Sequence, residues 1–122
     1  MGQSKPFRPT ALLVEDDPIQ REMIALLLEE NDYNVVQCED AETAVLALKN
    51  RRPALLIADV SLVGRMTGIE LAECARRINP KLRIIVVSGQ TPALALPEGV
   101  TFFAKPLYPV ELLREVGSGR TH

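Results

Sequence analysis

Acids, one hydroxyl and one amine each come directly after a short apolar run in this chain. The runs and the polar residues that follow them are 11–14 before Glu15 and Asp16, 55–58 before Asp59, 84–87 before Ser88, and 102–104 before Lys105. Such runs are typical of buried parallel strands, and ligands bind outside the carboxyl ends of those strands. We therefore expect these polar groups to meet at one edge of a sheet.

The three acids predict a metal site. The carboxylates of Glu15, Asp16 and Asp59 would repel one another if they lay together. A hard divalent cation with oxygen ligands removes that repulsion, and Mg²⁺ is the usual cation where phosphate chemistry follows. Mg²⁺ also keeps open positions that a phosphoryl group can take.

Asp59, Ser88 and Lys105 complete a set suited to phosphoryl transfer. Lys105 adds a positive charge and Ser88 a hydroxyl donor for phosphoryl oxygens, and a carboxylate can be the nucleophile. Asp59 is the predicted nucleophile because it stands alone on the middle strand, between both partners. Each piece by itself is explained as a turn, a helix cap or a surface lysine, so the prediction depends on their occurring together in this order.

Strand and helix patterns alternate along the chain and position these residues. After the first strand, the predicted strands are 34–38, 55–58, 82–87 and 101–104, and the predicted helices begin at Pro18, after Asp40, at Thr67 or Gly68, and at Pro109. Repeated β-α units give a parallel sheet with helices on both faces. The predicted fold class is α/β, a flavodoxin-like, doubly wound sheet of five parallel strands in the order 2-1-3-4-5.

Apolar residues at helical spacing predict the face that each helix buries. The predicted inward residues are Ile19, Met23, Leu26 and Leu27 in the first helix, Ala41, Ala44, Val45 and Leu48 in the second, Leu71, Ala72, Ala75 and Ile78 in the third, and Val110, Leu113 and Val116 in the last.

The fourth β-α unit is short. Only residues 89–104 lie between Ser88 and Lys105, and they include Pro92, Pro97 and Gly99. Proline interrupts a helix because it lacks an N–H donor and clashes with the preceding turn. We therefore expect the fourth helix to be shortened or absent.

Length and composition bound the remaining possibilities. The chain has 122 residues, of which 47 % are hydrophobic, and a net charge of -2, which is typical of one globular domain. No basic stripe interleaved with aromatic residues indicates direct nucleic-acid binding, and no apolar run is long enough to cross a membrane. Cys38 and Cys74 are expected to be reduced packing residues of a cytoplasmic protein. Residues 1–9 are expected to be a loose leader, 10–116 the domain, and 117–122 a frayed tail.

The chain resembles the receiver domain of two-component response regulators over residues 10–116. The segments that carry the resemblance are Leu13-Val14-Glu15-Asp16-Asp17-Pro18, Asp59 after its apolar run, Val86-Val87-Ser88-Gly89, and Lys105-Pro106. The resemblance implies phosphorelay signalling by a phosphoacceptor that is not an enzyme acting on a separate substrate. Asp59 would take a phosphoryl group from a histidine kinase or a histidine phosphotransfer protein and change contacts with a downstream protein partner.

The resemblance also implies a role for each site residue. Glu15 and Asp16 would hold Mg²⁺, helped by Asp59 and the backbone carbonyl of Ser61. Ser88 and Lys105 would contact the phosphoryl oxygens. Ser88 would move toward the phosphate, and Phe102 holds the position of the aromatic residue that reorients with it; a buried core phenylalanine is the alternative reading of Phe102.

Two segments depart from the common family pattern. The loop from Asp59 to Gly68 is one residue longer, with Val63 in place of a proline, and is similar to loops of receivers attached to hybrid sensor kinases. The short fourth unit alters the face through which many receivers dimerise, so DNA-binding dimers of the usual kind are less expected.

Two other functions are compatible with parts of the pattern. A haloacid-dehalogenase-like phosphohydrolase also uses a strand-end aspartate, but it needs a second acid where Ser61 stands. A non-phosphorylated interaction module could share the fold, although the complete set of acids, hydroxyl and amine argues against it. A flavin site is not expected because the acidic loop at residues 15–17 would repel a phosphate.

Overall fold

The computed structural model describes residues 7–62, 64, 66–89 and 96–120, with strands and helices alternating along most of the chain. In chain order the elements are β1 (Thr10–Val14), α1 (Pro18–Glu30), β2 (Asn34–Cys38), α2 (Ala41–Arg51), β3 (Leu55–Asp59), α3 (Gly68–Ile78), β4 (Arg83–Ser88), β5 (Val100–Ala104) and α4 (Pro109–Arg120). None of the four described helices has the length and apolar composition of a membrane span.

The strands form one parallel sheet in the order β2-β1-β3-β4-β5, which confirms the predicted topology. The strand order reverses at β1 and β3, which are hydrogen-bonded neighbours with Val14 opposite Ala58. Asp59 ends β3 opposite Val87 of β4. The carboxyl ends of β1, β3, β4 and β5 therefore lie at one edge of the sheet, as in other open parallel sheets.

Two apolar layers cover the sheet, one on each face. The side chains of Leu12, Leu56 and Ile84 pack under α2 and α3, whereas those of Leu13 and Ile57 pack under α1 and α4. Neighbouring strand residues point to opposite faces, so a run that is buried on both faces is apolar throughout. Each large side chain that is fully buried stabilises the fold by about 1.5–3 kcal/mol.

Side-chain caps fix where the helices begin. The Asp17 Oδ1 accepts a hydrogen bond from the Ile19 N–H at 3.0 Å, with Pro18 in the first turn of α1. The Asp40 Oδ1 accepts one from the Thr43 N–H at 2.8 Å at the start of α2. At α3, Thr67 and Glu70 form a capping box, in which the side chain of each residue accepts a hydrogen bond from the backbone N–H of the other.

The predicted inward face of α1 is wrong. The buried residues of α1 are Ile24, Ala25 and Leu28, whereas the side chains of Met23 and Leu26 are about half exposed. Ile19 is also exposed. Apolar residues occupy more than half of this helix's circumference, so periodicity alone leaves its rotation open. In the structure α1 is rotated so that Ile24, Ala25 and Leu28 pack against the sheet.

The last helix differs in a similar way. The buried residues of α4 are Leu112 and Val116, while Val110 is exposed and Leu113 is only partly buried. The helix also continues to Arg120, so residues 117–120, which the sequence analysis assigns to the tail, are helical. In α2 and α3 the predicted faces are confirmed, except that Ile78 at the end of α3 remains 37 % exposed.

The prediction for the fourth unit falls partly outside the described residues. Residue 89 and residues 96–99 are not helical, and β5 begins at Val100. Residues 90–95, like 1–6 of the predicted leader and 121–122 of the predicted tail, lie outside the described part of the chain.

Candidate functional site

Three acids meet at the carboxyl edge of the sheet. One carboxylate oxygen from each of Glu15, Asp16 and Asp59 lies within 4.8 Å of the other two. Glu15 and Asp59 are buried, and Asp16 is partly exposed. Chain positions that are more than forty residues apart therefore supply one cluster, as the strand-end pattern predicts.

Lys105 is the cation beside this cluster. Its Nζ donates a hydrogen bond to the Asp59 Oδ2 at 2.5 Å and lies 3.7 Å from the Glu15 Oε1. The backbone of the lysine is fixed as well, because its N–H donates to the Ser88 carbonyl at 2.8 Å. Lys105 thus joins the end of β5 to the acids on β1 and β3.

The electrostatics of Glu15 reflect this crowding. Burial raises the pKa of the Glu15 carboxyl from 4.5 to about 7, against a hydrogen bond from the Asp17 N–H that lowers it. The negative charge of Asp59 raises this pKa and the positive charge of Lys105 lowers it. Partial burial by itself would lower the pKa of Lys105. The hydrogen bond to Asp59 and the negative charges of Glu15 and Asp59 outweigh burial, so this pKa lies above its usual value.

Backbone contacts hold Asp59 in place. Its Oδ1 accepts a hydrogen bond from the Ser61 N–H at 2.9 Å, while its Oδ2 accepts the one from Lys105. The Gly68 N–H donates to the Val60 carbonyl at 3.0 Å, which brings the start of α3 against the end of β3. A Cβ at Gly68 would lie 2.7 Å from the Asp59 carbonyl carbon, so only glycine permits this approach.

The structure places the remaining predicted residues around this cluster. Ser88 is buried at the end of β4, opposite Ala104 of β5. Phe102 is partly buried against the apolar layer under α2 and α3. Ser61 lies in the exposed start of the loop after Asp59. The switch role of Phe102 and the role of the Ser61 carbonyl as a ligand stay predictions.

One contributor, Arg21, was missed in the sequence analysis. Its Nη1 donates to the backbone carbonyl of Glu15 at 2.8 Å, and its Nε donates to the Gln37 Oε1 on β2 at 3.3 Å. The Glu15 N–H in turn donates to the Cys38 carbonyl at 3.1 Å. The main chain at Glu15 is thereby held from both sides. The sequence feature that could have identified Arg21 is a single arginine one turn into the helix that follows the acidic loop.

A groove beside Lys105 was also missed. It has a volume of about 450 Å³ and separates α1 from the segment that leads into α4. The residues lining it are Gln20, Met23, Ile24, Leu27, Lys105, Pro106, Leu107 and Pro109. Met23 and Leu27, two of the residues predicted to face inward, form part of one wall of this groove. The adjacent Tyr108 and Val110 side chains are exposed too.

The donor set fits a hard cation and an anion together. Carboxylate oxygens are the ligands that Mg²⁺ prefers, and burial of Glu15 is favoured when positive charge lies beside it. Lys105 supplies a donor with a fixed charge for an oxygen bound at Asp59. The arrangement can therefore hold a divalent cation next to the Asp59 carboxylate.

Comparisons with known proteins agree with this geometry. The response regulator receiver domain family matches residues 11–116. The response regulator receiver protein CpdR of Brucella abortus is 32 % identical over 111 residues, which cover 86 % of this chain and 91 % of CpdR. The nitrogen assimilation regulatory protein NtrX of Azorhizobium caulinodans is 32 % identical over 101 residues, which cover 78 % of this chain but only 22 % of NtrX.

Among solved structures, the receiver domain of the hybrid histidine kinase CckA superposes with a TM-score of 0.80 at 29 % identity. The match covers 92 % of this chain and 99 % of that domain. The family match spans nearly all of the described residues, from β1 into α4. This chain therefore belongs to the response regulator receiver domain family of two-component systems.

Proposed function

We propose that this receiver domain accepts a phosphoryl group on Asp59. The single observation that carries the proposal is the Asp59 carboxylate itself, buried at the end of β3 with one oxygen hydrogen-bonded to Lys105 and two further acids beside it. An exposed or unsupported aspartate would lack both the fixed position and the neighbouring charge that phosphoryl transfer needs.

The proposed step is an in-line transfer from a phosphohistidine. An Asp59 carboxylate oxygen attacks phosphorus, the P–N bond breaks, and its electron pair stays on the imidazole nitrogen of the donor. The product is an acyl phosphate. Lys105, whose Nζ already reaches Asp59, would donate to one phosphoryl oxygen, and the Ser88 hydroxyl would donate to a second.

We propose Mg²⁺ as the cation, held by Glu15, Asp16 and Asp59 with the Ser61 carbonyl as a further ligand. The clustering of three carboxylate oxygens and the burial of Glu15 support a divalent cation there. When bound, Mg²⁺ would neutralise charge on the phosphoryl oxygens. Among the protein residues, Glu15 and Asp16 would keep their orientation because Arg21 and the Cys38 carbonyl hold the main chain.

The proposed donor is a histidine kinase or a histidine phosphotransfer protein. An apolar groove directly beside Lys105, with exposed Met23 and Tyr108 at its sides, supports a folded protein as the donor rather than a free metabolite. The domain would then act as a phosphoacceptor in a phosphorelay, not as an enzyme that turns over a separate substrate. Two cysteines without a disulfide are compatible with the reducing cytoplasm.

The proposed output is a change in protein contacts driven from Ser88. The Ser88 carbonyl accepts a hydrogen bond from the Lys105 N–H, so a displacement of Ser88 toward phosphate would also move the end of β5. Phe102, which lies on β5 opposite Val86, is placed to follow that displacement. A downstream protein that contacts β5 would then distinguish the two states.

Intact-mass measurement tests the proposal. The chain is incubated with phosphoramidate, a small donor with a P–N bond, with and without Mg²⁺. We expect the mass of one phosphoryl group to be gained only when Mg²⁺ is present. Asp59→Asn is the matched control because it keeps the shape of the side chain but removes the nucleophile. No added mass in the parent chain, or equal labelling of the variant, contradicts the proposal.

Beryllium fluoride, which mimics a bound phosphoryl group, tests the switch separately. We expect shifted amide signals near Ser88 and Phe102 in the presence of Mg²⁺. If shifts occur only around Asp59, phosphate binding stands but the route through Ser88 is wrong.

A further inference from the structure

Basic residues are concentrated in two stretches that contain no acid. Residues 43–58 include Lys49, Arg51 and Arg52 but neither Asp nor Glu. The same holds for residues 74–97, which include Arg76, Arg77, Lys81 and Arg83. Half of the 14 basic residues of the chain therefore lie in two stretches that contain no acidic residue.

The fold brings these two stretches together. Helices α2 and α3 pack against each other, and both end at the amino edge of the sheet, opposite the edge that carries Asp59. A groove of about 370 Å³ lies between their ends. We call it the basic groove, and its lining residues are Leu48, Lys49, Arg52, Pro53, Ile78, Asn79 and Leu82. It is separate from the proposed phosphorylation site and shares no residue with it.

The charges around the basic groove are largely unneutralised in the described part of the chain. Arg83 pairs with Glu115 at 2.8 Å, and the Nη1 of Arg76 donates to the carbonyls of Pro80 and Leu82. Lys49, Arg51, Arg52, Arg77 and Lys81 are exposed, and none of them makes an ion pair with a described residue. The acids that flank the two stretches along the chain are Glu42 and Asp59 for the first, and Glu73 and Glu98 for the second.

Helix electrostatics explain only part of this charge. Lys49, Arg51, Arg76 and Arg77 lie in the last turns of α2 and α3, where cations offset the negative end of the helix dipole. Arg52 is the C-cap residue of α2, where the dipole also favours a cation, whereas Lys81 lies beyond the C-cap of α3 and is not explained in this way. Arg52 also adopts the left-handed backbone conformation, with φ 47°, which is unfavourable for a residue with a Cβ.

The floor of the basic groove is apolar. Leu48 and Leu82 are almost fully buried at its base, and Ile78, 37 % exposed, forms part of its wall. None of the described residues that line it is aromatic, so this lining offers no stacking surface of the kind that single-stranded nucleic acid uses. A cavity with an aliphatic floor and a basic rim is complementary to one aliphatic side chain flanked by carboxylates.

We propose that the basic groove binds a short acidic segment of a partner protein, with one large aliphatic side chain placed between α2 and α3. The carboxylates of that segment would pair with Lys49, Arg52 and Lys81. This contact is independent of Asp59 and of phosphorylation. It gives the domain a second protein-binding surface, opposite the acidic one.

Amide shifts in a ¹⁵N-labelled chain test the proposal. The probe is a set of peptides in which one leucine, isoleucine or methionine is flanked by four acidic residues. We expect shifts confined to residues 48–53 and 77–82, with affinity that falls as salt is raised. Replacing the central residue with serine keeps the charge and is expected to weaken binding several-fold.

Charge-reversal variants provide the controls. Arg52→Glu with Lys81→Glu is expected to weaken peptide binding by about tenfold or more, which corresponds to the loss of two or more exposed charge pairs. Arg114→Glu changes an exposed arginine on α4 and is expected to leave binding unchanged. Melting curves establish that each variant is folded.

Three outcomes overturn the proposal. One is the absence of localised shifts at millimolar concentrations of every peptide in the set. Another is equal peptide binding by the double variant and the parent. The third is tighter binding of a single-stranded oligonucleotide, or of vesicles containing phosphatidylserine, at the same residues, because the groove would then serve a different class of partner.

Discussion

At the scale of single residues, Lys105 controls the charge of the site. It is the described cation that contacts both buried acids, at 2.5 Å from Asp59 and 3.7 Å from Glu15. A divalent cation that binds the same carboxylates must compete with it. In the proposed reaction the lysine would therefore assist the phosphoryl group and oppose the metal ion at the same time.

Lys105→Met is expected to strengthen Mg²⁺ binding and to slow phosphorylation of Asp59. Removal of the competing positive charge leaves two buried carboxylates without their cation, so Mg²⁺ affinity should rise by on the order of tenfold. Isothermal titration with MgCl₂ measures this affinity, and intact mass measures labelling. Lys49→Met, a change of the same kind at the opposite edge, should alter neither. Weaker Mg²⁺ binding by Lys105→Met would show that the lysine positions the acids instead of competing.

Gly68 limits how Asp59 can be held. Gly68→Ala is expected to destabilise the fold by about 1–3 kcal/mol because the new methyl group has no space beside the end of β3. A Cβ there would lie 2.8 Å from the Val60 Cα as well as against the Asp59 carbonyl. Urea unfolding measures the free energy, and labelling of Asp59 should fall with it. Gly117→Ala is the control, because a Cβ at this position would have no steric conflict with neighbouring residues. Its effect on the free energy of unfolding should be neutral or stabilising.

Residue types and strand ends were enough to predict the central residues of the site. Each of these residues ends a strand or comes within two positions after one: Asp59 and Ser88 end β3 and β4, and Glu15, Asp16 and Lys105 follow β1 and β5. Parallel strands bring such residues to one edge whatever the details of packing. Arg21 and Gly68 could not be predicted in the same way. The role of Arg21 depends on two acceptors on other elements, and that of Gly68 on a close backbone approach.

At the scale of elements, α1 shows why pattern alone can mislead. Leu26 and Leu28 are both leucines in the same helix, but Leu26 is 53 % exposed and Leu28 is fully buried. Packing on the sheet selects the rotation, and Arg21 adds hydrogen bonds from α1 to the Glu15 carbonyl and to Gln37 on β2. In α2 and α3 small buried alanines mark a narrow inward face, so their rotation was predictable.

A matched pair of leucine variants tests the rotation of α1. Leu28→Ala is expected to destabilise the domain by about 2–5 kcal/mol because it opens a cavity in the core. Leu26→Ala should change the free energy of unfolding by no more than about 0.5 kcal/mol. Both values come from denaturant unfolding under identical conditions. A larger loss of stability for Leu26→Ala than for Leu28→Ala would instead support the inward face of α1 that periodicity predicts.

At the scale of the whole molecule, the sheet separates two regions of charge. The carboxyl edge gathers the acids around Asp59, and the amino edge gathers the basic residues around α2 and α3. The alternation of apolar runs and helical stripes was enough to predict the strand order and layer arrangement, since few topologies satisfy it. The grooves were not predictable, because each is a gap left between elements after they pack.

Mg²⁺ is expected to stabilise the whole domain through the acidic edge. A ligand that binds only the folded state at ten times its dissociation constant raises the free energy of unfolding by about 1.4 kcal/mol. Urea unfolding with and without MgCl₂ measures the increment. Asp16→Asn removes one carboxylate from the cluster and should reduce it, while the variant stays folded in the absence of the metal. The same increment in both chains would place the bound Mg²⁺ elsewhere.

The hydrogen bond between the Ser88 carbonyl and the Lys105 N–H also bears on the order in which the charged groups of the site come together during folding. The acids come from β1 and β3, whereas the balancing lysine follows β5 and is anchored to the Ser88 carbonyl only once β5 has paired with β4. A nascent chain that has emerged only through β4 would carry Glu15 and Asp59 without their cation. Such a chain gains its charge balance only at β5, the last strand to be made, and the buried face of α4 must still be added before the core is complete.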